Sequence, residues 1–415
     1  MMSKHVMDDA KRCLQCKNPQ CSKGCPVGTP IRDAIQMLLE SDVKQAGQLL
    51  FENNPLSIIC CRVCPQENQC EGHCVTGIKS TPVQISAIEQ YISDFYLNVY
   101  EPKKSDKTAG KIGIIGSGPA GITIALLLAK KNYDVTIFEG NDSIGGVLRY
   151  GIPEFRLPKK YIDNLGSVLI KSGVKIRPNT TIGTTLNIDD MFRDGFQAIF
   201  LGTGVWNPRK MNIKGESLGN VNYAIEYLRK PNAYDLGEKV VVIGAGNVAI
   251  DAARTAVRQG VREVSIVSYK SEEMMAARET EIRYAKIDGV KFHYLKSAVE
   301  FTEKGVVFAD SKVVSDGNNI NVVGTVEGTE ELMECDSIIV AIGQVPRAVI
   351  VSSSPGIEVN SKGLVVVNEF GETSRPGVYA SGDVVTGAKT VVEAVRFSKI
   401  VANAMDNYVQ NLKKN

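Results

Sequence analysis

The first hundred residues repeat apolar positions with a helical period. Ile31, Ile35, Leu38 and Leu39 form one stripe, Val43, Ala46, Leu49 and Leu50 a second, and Ile85, Ile88, Ile92, Phe95 and Tyr96 a third. Residues three and four apart share a helix face, so each stripe predicts a helix lining the core of a small helical domain. Residues 101–110, EPKKSDKTAG, are polar and aperiodic and read as a linker. Beyond them the pattern changes to short continuous apolar runs that end in glycine. Ile112 to Ile115 runs into Gly116, AIFLGTG at 198–204 into a tight turn, Lys239 to Ile243 into Gly244, and DSIIVAIGQ at 336–344 into Gly343. Buried strands alternating with helix-like runs such as Ile122 to Lys130 predict βαβ units and parallel sheets.

The sharpest of these runs is KIGIIGSGPAG, Lys111 to Gly121, where a strand breaks into Gly116, Gly118 and Gly121, with Pro119 and Ala120 between the last two. The first glycine permits the tight turn, the second lets a pyrophosphate approach the backbone, and the third lets helix and strand pack closely. The phosphates of a dinucleotide would sit on the helix N-terminus. A second strand, Val135 to Phe138, ends at Glu139, an acid placed to bind a ribose hydroxyl. A glycine-rich turn in an ordinary βαβ unit would not call for that acid. The run from Gly145 and Gly146 through Arg149 to Pro153 suits close approach to a large cofactor, although a plain loop also fits it.

A second unit of the same kind follows. Gly244, Gly246 and Ala249 succeed the strand at 239–243, and Asn247 and Val248 open a helix. Alanine in the third slot is a permitted variant. The next strand, Val264 to Val267, ends in Ser268, Tyr269 and Lys270 instead of an acid. A cation at that position accommodates a 2′-phosphate, so Lys270 and Arg278 favour NADPH over NADH, against the reading of Lys270 as a solvated surface charge. Toward the C-terminus a strand ends in Gly382 and Asp383 and a helix starts near Thr390 and Val391, a favourable place for an anionic cofactor oxygen.

Length and charge then bound the answer. The chain has 415 residues, 43% hydrophobic and 23% charged, with a formal net charge of +2. That is a globular profile of two or three domains, with no electrostatic reason to expect nucleic acid or an anionic membrane surface. No apolar run approaches the ~20 residues that span a bilayer, and MMSKHVMDDAKRC lacks the apolar stretch of a secretory signal, so a cytoplasmic protein is expected.

Cysteine usage changes the picture most. Of ten cysteines, nine fall between Cys13 and Cys74, and only Cys335 lies beyond. Cys13, Cys16, Cys21 and Cys25 have the spacing C-x2-C-x4-C-x3-C followed by Pro26. Cys60, Cys61, Cys64, Cys70 and Cys74 form the second group, with Pro65 after Cys64. Clustered thiols in a reducing compartment argue for metal over disulfides. Short uneven spacings with a following proline are those of iron–sulfur ligation. Zinc is the competing expectation, although there are more thiols than one ion needs. Glu89 falls within the third apolar stripe, where a carboxylate is costly unless paired or bound to metal; an acid reaching solvent from the stripe's edge is the alternative.

Together these segments resemble the small subunit of NADPH-dependent glutamate synthase and its relatives, which include the flavin subunit of bacterial dihydropyrimidine dehydrogenase and the large subunit of ferredoxin–NADP transhydrogenase. The resemblance runs from RCLQCKNPQCSKGCPVG (12–28) through NPLSIICCRVCPQENQCEGHC (54–74), GGVLRYGIPEFRLPK (145–159) and GAGNVAIDAARTA (244–256) to GVYASGDVVTG (377–387). It implies an α/β protein with two Rossmann-like nucleotide-binding domains, one for FAD and an inserted one for NAD(P), preceded by an α-helical iron–sulfur domain. The expected boundaries are 1–105 for the head with two [4Fe-4S] clusters, 106–235 and 341–415 for the FAD-binding domain, and 236–340 for the inserted NAD(P)H-binding domain. The family pattern implies one cluster on Cys13, Cys16, Cys21 and Cys74 and another on Cys25, Cys64, Cys70 and Glu89, with Cys60 and Cys61 spare. It places Glu139, Gly146, Arg149 and Asp383 at the flavin, with Thr390 and Val391 near its pyrimidine edge; Gly382 beside them, and Gly244, Gly246, Asn247, Val248, Lys270, Arg278 and Gly343 around NADPH or NADH, are expected from the turns and strand ends themselves. Where many relatives carry two arginines, this chain has Tyr269 and Lys270. The implied role is an electron-input subunit passing electrons between NAD(P)H and a second catalytic subunit, with no side chain needed as acid or base for hydride transfer. A bifurcating transhydrogenase-type subunit and a non-catalytic redox sensor are the alternatives. A flavin disulfide reductase would need a second cysteine beside Cys335.

Overall fold

The structure is a computed structural model that describes residues 2–315 and 320–414. It divides into two compact units, Met1–Leu148 with Glu154–Val205 and Pro346–Asn415, and Arg149–Pro153 with Trp206–Val345.

The first unit begins with a helical head: α1 (Met2–Ala10), α2 (Ile31–Leu39), α3 (Val43–Asn53), α4 (Ser57–Val63) and α5 (Ile85–Val99). Asp42 caps α3 by accepting from the Gln45 amide at 3.0 Å. The stripes become the head's core, with Ile35, Leu38, Ala46, Leu50, Ile88 and Ile92 all at 2% exposure or less. Phe95 departs from the expectation at 42% exposed, because it sits at the edge of the α5 stripe while Tyr96 carries the buried contact. Residues 101–109 carry no helix or strand, as a linker should.

The rest of the first unit is a five-stranded parallel sheet of β1 (Gly110–Ile115), β2 (Tyr133–Phe138), β3 (Lys175–Arg177), β4 (Ala198–Leu201) and β14 (Val378–Ala380), in the order β14-β4-β1-β2-β3. Helices α6 (Pro119–Lys130), α7 (Lys160–Lys171) and α9 (Val391–Leu412) belong to it. The chain leaves β1 toward β2 and β3 on one side and returns at β4 on the other. The register aligns the strand ends Ile115, Phe138, Leu201 and Ala380 in one row. Ligands of open parallel sheets bind beyond such a row, where the strand order reverses.

The second unit repeats the arrangement. Strands β5 (Val221–Tyr223), β6 (Lys239–Ile243), β7 (Glu263–Ser268), β8 (Lys291–Tyr294) and β13 (Ser337–Val340) form a parallel sheet in the order β5-β13-β6-β7-β8, and α8 (Asn247–Arg258) follows β6. Tyr223, Val340, Ile243 and Val267 make its row of strand ends. The unit starts upstream of 236 because β5 pairs with β13 and because Asn207–Pro208 pairs with Gln344–Val345. An antiparallel sheet of β9 (Lys296–Thr302), β10 (Gly305–Ser315), β11 (Ile320–Thr325) and β12 (Glu331–Glu334) is inserted before β13. Among the described residues no helix is long and apolar enough to cross a membrane.

Candidate functional site: two nucleotide turns and a cysteine ring

The first turn leaves β1 at Gly116, whose φ is +95°. A Cβ there would lie 2.6 Å from the Gly202 carbonyl oxygen, so the crossing of the β1 and β4 ends admits only glycine. Gly121 is equally constrained: its Cβ would lie 2.0 Å from the Gly116 oxygen. Gly118, the N-cap of α6, would meet nothing within 4 Å, so the backbone amides opening α6 border open space. Pro119 occupies the first turn of the helix, where its missing N–H costs no hydrogen bond. Gly146 approaches Gly118, and Gly382 approaches Ala120. Residues far apart in sequence, 116–121, 146 and 382, therefore form one cradle with the small-residue chemistry and free helix N-terminus that a pyrophosphate requires.

Glu139, at the end of β2, is buried at 4% exposure. One carboxylate oxygen accepts from the Ser117 amide at 2.9 Å and from the Ser117 hydroxyl. The other accepts from the Asn141 amide at 2.8 Å and from its side-chain nitrogen at 2.7 Å. The acid is thus fixed against the turn itself, a link that spacing alone does not reveal. Asp383 is half-buried, and burial pushes its carboxyl up to about 6, with the Lys389 amide opposing the rise and Glu393 adding to it. Thr390 caps the 22-residue α9 in a capping box with Glu393. Val391 is the first helical residue, and the helix dipole favours negative charge there. Arg149 lies in the short helix Val147–Tyr150, in the segment that belongs to the second unit.

The second turn solves the same steric problem. A Cβ on Gly244 would lie 2.5 Å from the Ala341 oxygen, just beyond β13, and Gly246, the N-cap of α8, would meet nothing within 4 Å. Ala249 is wholly buried in the third slot. The loop before residue 279 folds back onto this turn: the Ala276 and Ala277 amides donate to the Ala245 oxygen at 2.9 and 3.1 Å. The Arg278 amide donates to the Asn247 side chain at 2.9 Å, so the structure brings Asn247 and Arg278 together. Lys270 is half-buried at the end of the β7 turn, and its amide is held by the Ser268 hydroxyl at 3.0 Å. Gly343 has a φ of +108°, and its oxygen accepts from the Arg209 amide at 3.0 Å.

In the head, Cys13, Cys16, Cys21 and Cys74 line one pocket, together with Ile31, Ile35 and Val83. Burial pushes the Cys13 and Cys21 thiols up, and Cys74 raises both further. A second set is more deeply placed. A side-chain hydrogen bond with Cys60 pushes Cys64 well up, burial adds to it, and Glu89 and Cys25 raise it further. Burial also raises Cys70, again with contributions from Glu89 and Cys25. Glu89 and Cys25 thus act electrostatically on both Cys64 and Cys70. Cys60, expected to be spare, touches this set through Cys64. Burial pushes the Glu89 carboxyl up to about 8, and it has no hydrogen-bond or ion-pair partner among the described residues. Such an acid suits a positively charged metal centre.

Among the described residues no three His, Cys, Asp or Glu side chains close around a single metal ion. Thiols spread around a cavity suit the corners of a multi-iron cube better than the shell of one zinc ion. Arg62, which sequence reasoning passed over, ties the head to the first unit's sheet domain. Its guanidinium holds Asp94 with two bonds of 2.6 and 2.7 Å and stacks 3.7 Å over the Tyr161 ring on α7. Cys335 is buried, which pushes its thiol up to about 11.

Comparison with known proteins gives two family matches. Residues 110–397 match the family described as pyridine nucleotide-disulphide oxidoreductase, and residues 1–100 match one described as dihydropyrimidine dehydrogenase domain II, 4Fe-4S cluster. The chain is similar to the glutamate synthase [NADPH] small chain of Escherichia coli, at 30% identity over 97% of this chain and 91% of the relative. It is similar to the same extent, 30%, to the Escherichia coli NAD-dependent dihydropyrimidine dehydrogenase subunit PreT, over 98% and 94% of the two chains. Among solved structures, Mycobacterium tuberculosis FprA in complex with NADPH shares the fold, with a TM-score of 0.63 at 19% identity over 74% of this chain and 86% of that one.

Proposed function

Because the chain belongs to the pyridine nucleotide-disulphide oxidoreductase family, within the group of glutamate synthase small chains and their relatives, we propose that it is the electron-input subunit of a larger oxidoreductase. The first turn holds FAD, the second holds a nicotinamide nucleotide, and the head holds two [4Fe-4S] clusters. The observation that carries this reading is the presence of two glycine turns with the same steric constraint in the same chain as two groups of neighbouring cysteines. When bound, the flavin takes the two electrons of a hydride and the clusters pass electrons singly, so one nucleotide oxidised supplies two one-electron deliveries to the partner.

The chain's own residues bind and orient. Amides opening α6 and α8 receive the phosphates, Glu139 presents a fixed carboxylate at the ribose end of the first cradle, and Lys270 with Arg278 favours a 2′-phosphate at the second. Cys13, Cys16, Cys21 and Cys74 hold one cluster, and Cys25, Cys64, Cys70 and Glu89 hold the other. The disulfide chemistry in the family's name is not supported, because Cys335 has no second thiol outside the head in this sequence. Two relatives of equal similarity carry NADPH and NAD in their names, so the partner and the final acceptor are tested separately from the nucleotide.

Anaerobic addition of NADPH, and separately NADH, to the purified holoprotein tests the reading. Bleaching of the flavin followed by a reduced-cluster EPR signal is expected, faster with NADPH. If neither nucleotide bleaches the flavin, the electron-input reading fails and a redox sensor takes its place.

A further inference from the structure

We propose that Arg254 is a positioning residue for the second nucleotide turn. Through Glu281 it holds the start of the helix that Arg278 caps, and so fixes Arg278 for recognition of a ribose 2′-phosphate. The inference deepens the proposed reading that this turn holds a nicotinamide nucleotide, and rests on it.

Helix α8 leads away from the turn, and its first residue, Asn247, accepts the Arg278 amide on its side-chain oxygen at 2.9 Å. Arg254 stands two turns further along the same helix. It is 6% exposed, and Glu281 is 7% exposed. The Arg254 Nη1 donates to a Glu281 carboxylate oxygen at 2.5 Å, and its Nε donates to Asp288 at 2.8 Å. Glu281 lies in the first turn of the helix Glu279–Ile287, Arg278 is the N-cap of that helix, and Asp288 is its C-cap. One buried guanidinium therefore pins both ends of the helix to α8. The Arg278 carbonyl accepts from the Glu281 and Ile282 amides, both at 3.0 Å. Arg278 is thus clasped from two sides, by Asn247 at the turn and by the helix that Arg254 holds.

A buried ion pair gains little stability over well-packed apolar side chains of similar volume, because both charges are stripped of water. The helix already has apolar anchors in Ile282 and Ala285, which share a core with Ile250 and Ala253 of α8. What the guanidinium adds is direction, since its planar fork meets carboxylates in a fixed geometry that an apolar contact does not impose. The 2′-phosphate is the group by which NADPH differs from NADH, so a displaced Arg278 penalises one nucleotide more than the other. Arg254 acts through Glu281 and Arg278, not by touching the nucleotide.

The test is anaerobic stopped-flow bleaching of the flavin in the holoprotein by NADPH and by NADH, with flavin counted in each sample. The wild type should prefer NADPH, and Arg278→Ala should reduce that preference roughly tenfold in kcat/KM. Arg254→Gln should reduce it by roughly the same factor, through a raised KM for NADPH with kcat and the use of NADH unchanged. Glu281→Gln, which keeps the volume and leaves Arg254 on Asp288, should shift the preference in the same direction. Arg254→Gln combined with Arg278→Ala should lose no more than either alone, because both remove one interaction. Wild-type preference in both Arg254→Gln and Glu281→Gln overturns the inference. So do losses that multiply in the double variant, or an equal loss with both nucleotides, which marks a purely structural pair. If Arg254→Gln fails to fold or loses flavin, Glu281→Gln decides alone. A wild type without preference for NADPH, or a preference that survives Arg278→Ala, overturns the 2′-phosphate reading of Arg278 and the inference with it.

Discussion

The two glycine turns differ less in shape than in what stands at the end of the neighbouring strand. In each, the first glycine sits against a carbonyl oxygen from the strand across the switch point, 2.6 Å from an added Cβ at Gly116 and 2.5 Å at Gly244. In each, the second glycine opens a helix onto free space. At the first, however, Glu139 is buried and gripped by four donors from Ser117 and Asn141. At the second, Tyr269 is 43% exposed, Lys270 is half-buried, and Glu272 and Glu273 follow after Ser271. The turn is a property of the fold, and the strand end decides the ligand. A carboxylate fixed in advance suits a resident cofactor, because little ordering cost remains to be met on binding. A half-buried lysine beside an exposed tyrosine suits a nucleotide that arrives and leaves.

The comparison breaks most visibly at Gly116. Gly116→Ala adds a Cβ in collision with the Gly202 oxygen at a left-handed φ, a cost of about 3 kcal/mol. Roughly hundredfold weaker flavin retention is expected, measured as FAD released on gel filtration, with nicotinamide binding unchanged.

Asp383 sharpens the first site through pH. Its folded-state value is about 6 against an ordinary 3.8, so the neutral carboxyl is favoured in the fold. Its contribution is complete below about pH 4 and is lost as pH rises through 6, up to about 3 kcal/mol. Chemical denaturation of the apoprotein should show that decline, and Asp383→Asn should flatten it and be the more stable protein at pH 7.

Glu139→Ala should cost about 2 kcal/mol in apoprotein stability, because it leaves the Ser117 amide and hydroxyl buried without an acceptor. Thermal melting with and without FAD separates that from the loss of affinity. Lys270→Ala should change least: stability within about 0.5 kcal/mol, and a preference for NADPH over NADH reduced by roughly tenfold in kcat/KM. An unchanged preference would assign Lys270 to the solvated surface.

Much of this was legible in the residues. The head's stripes, β1, β2, β6, β7 and the helix start near Thr390 follow from period and glycine placement, which are local signals. The antiparallel sheet of β9 to β12 was not, since β12 is short and exposed, β9 is half-exposed along most of its length, and β10 carries little alternation beyond Val306 and Phe308. Nor was the grip of Ser117 on Glu139, or the reach of Arg254 to Glu281, because both join residues that only the folded chain brings together. Glu89 was legible as an acid in an apolar stripe. That its charge reaches Cys64 and Cys70 needed the turn between α4 and α5.

The central claim is that the two turns divide the labour, with flavin on the first and nicotinamide on the second. Gly244→Ala tests it most directly, in an anaerobic stopped-flow record of flavin bleaching. The account predicts a variant that keeps its full flavin, bleaches with dithionite as the wild type does, and bleaches with NADPH at least about a hundredfold more slowly at limiting nucleotide. Flavin lost from Gly244→Ala, or bleaching by NADPH at the wild-type rate, would contradict it.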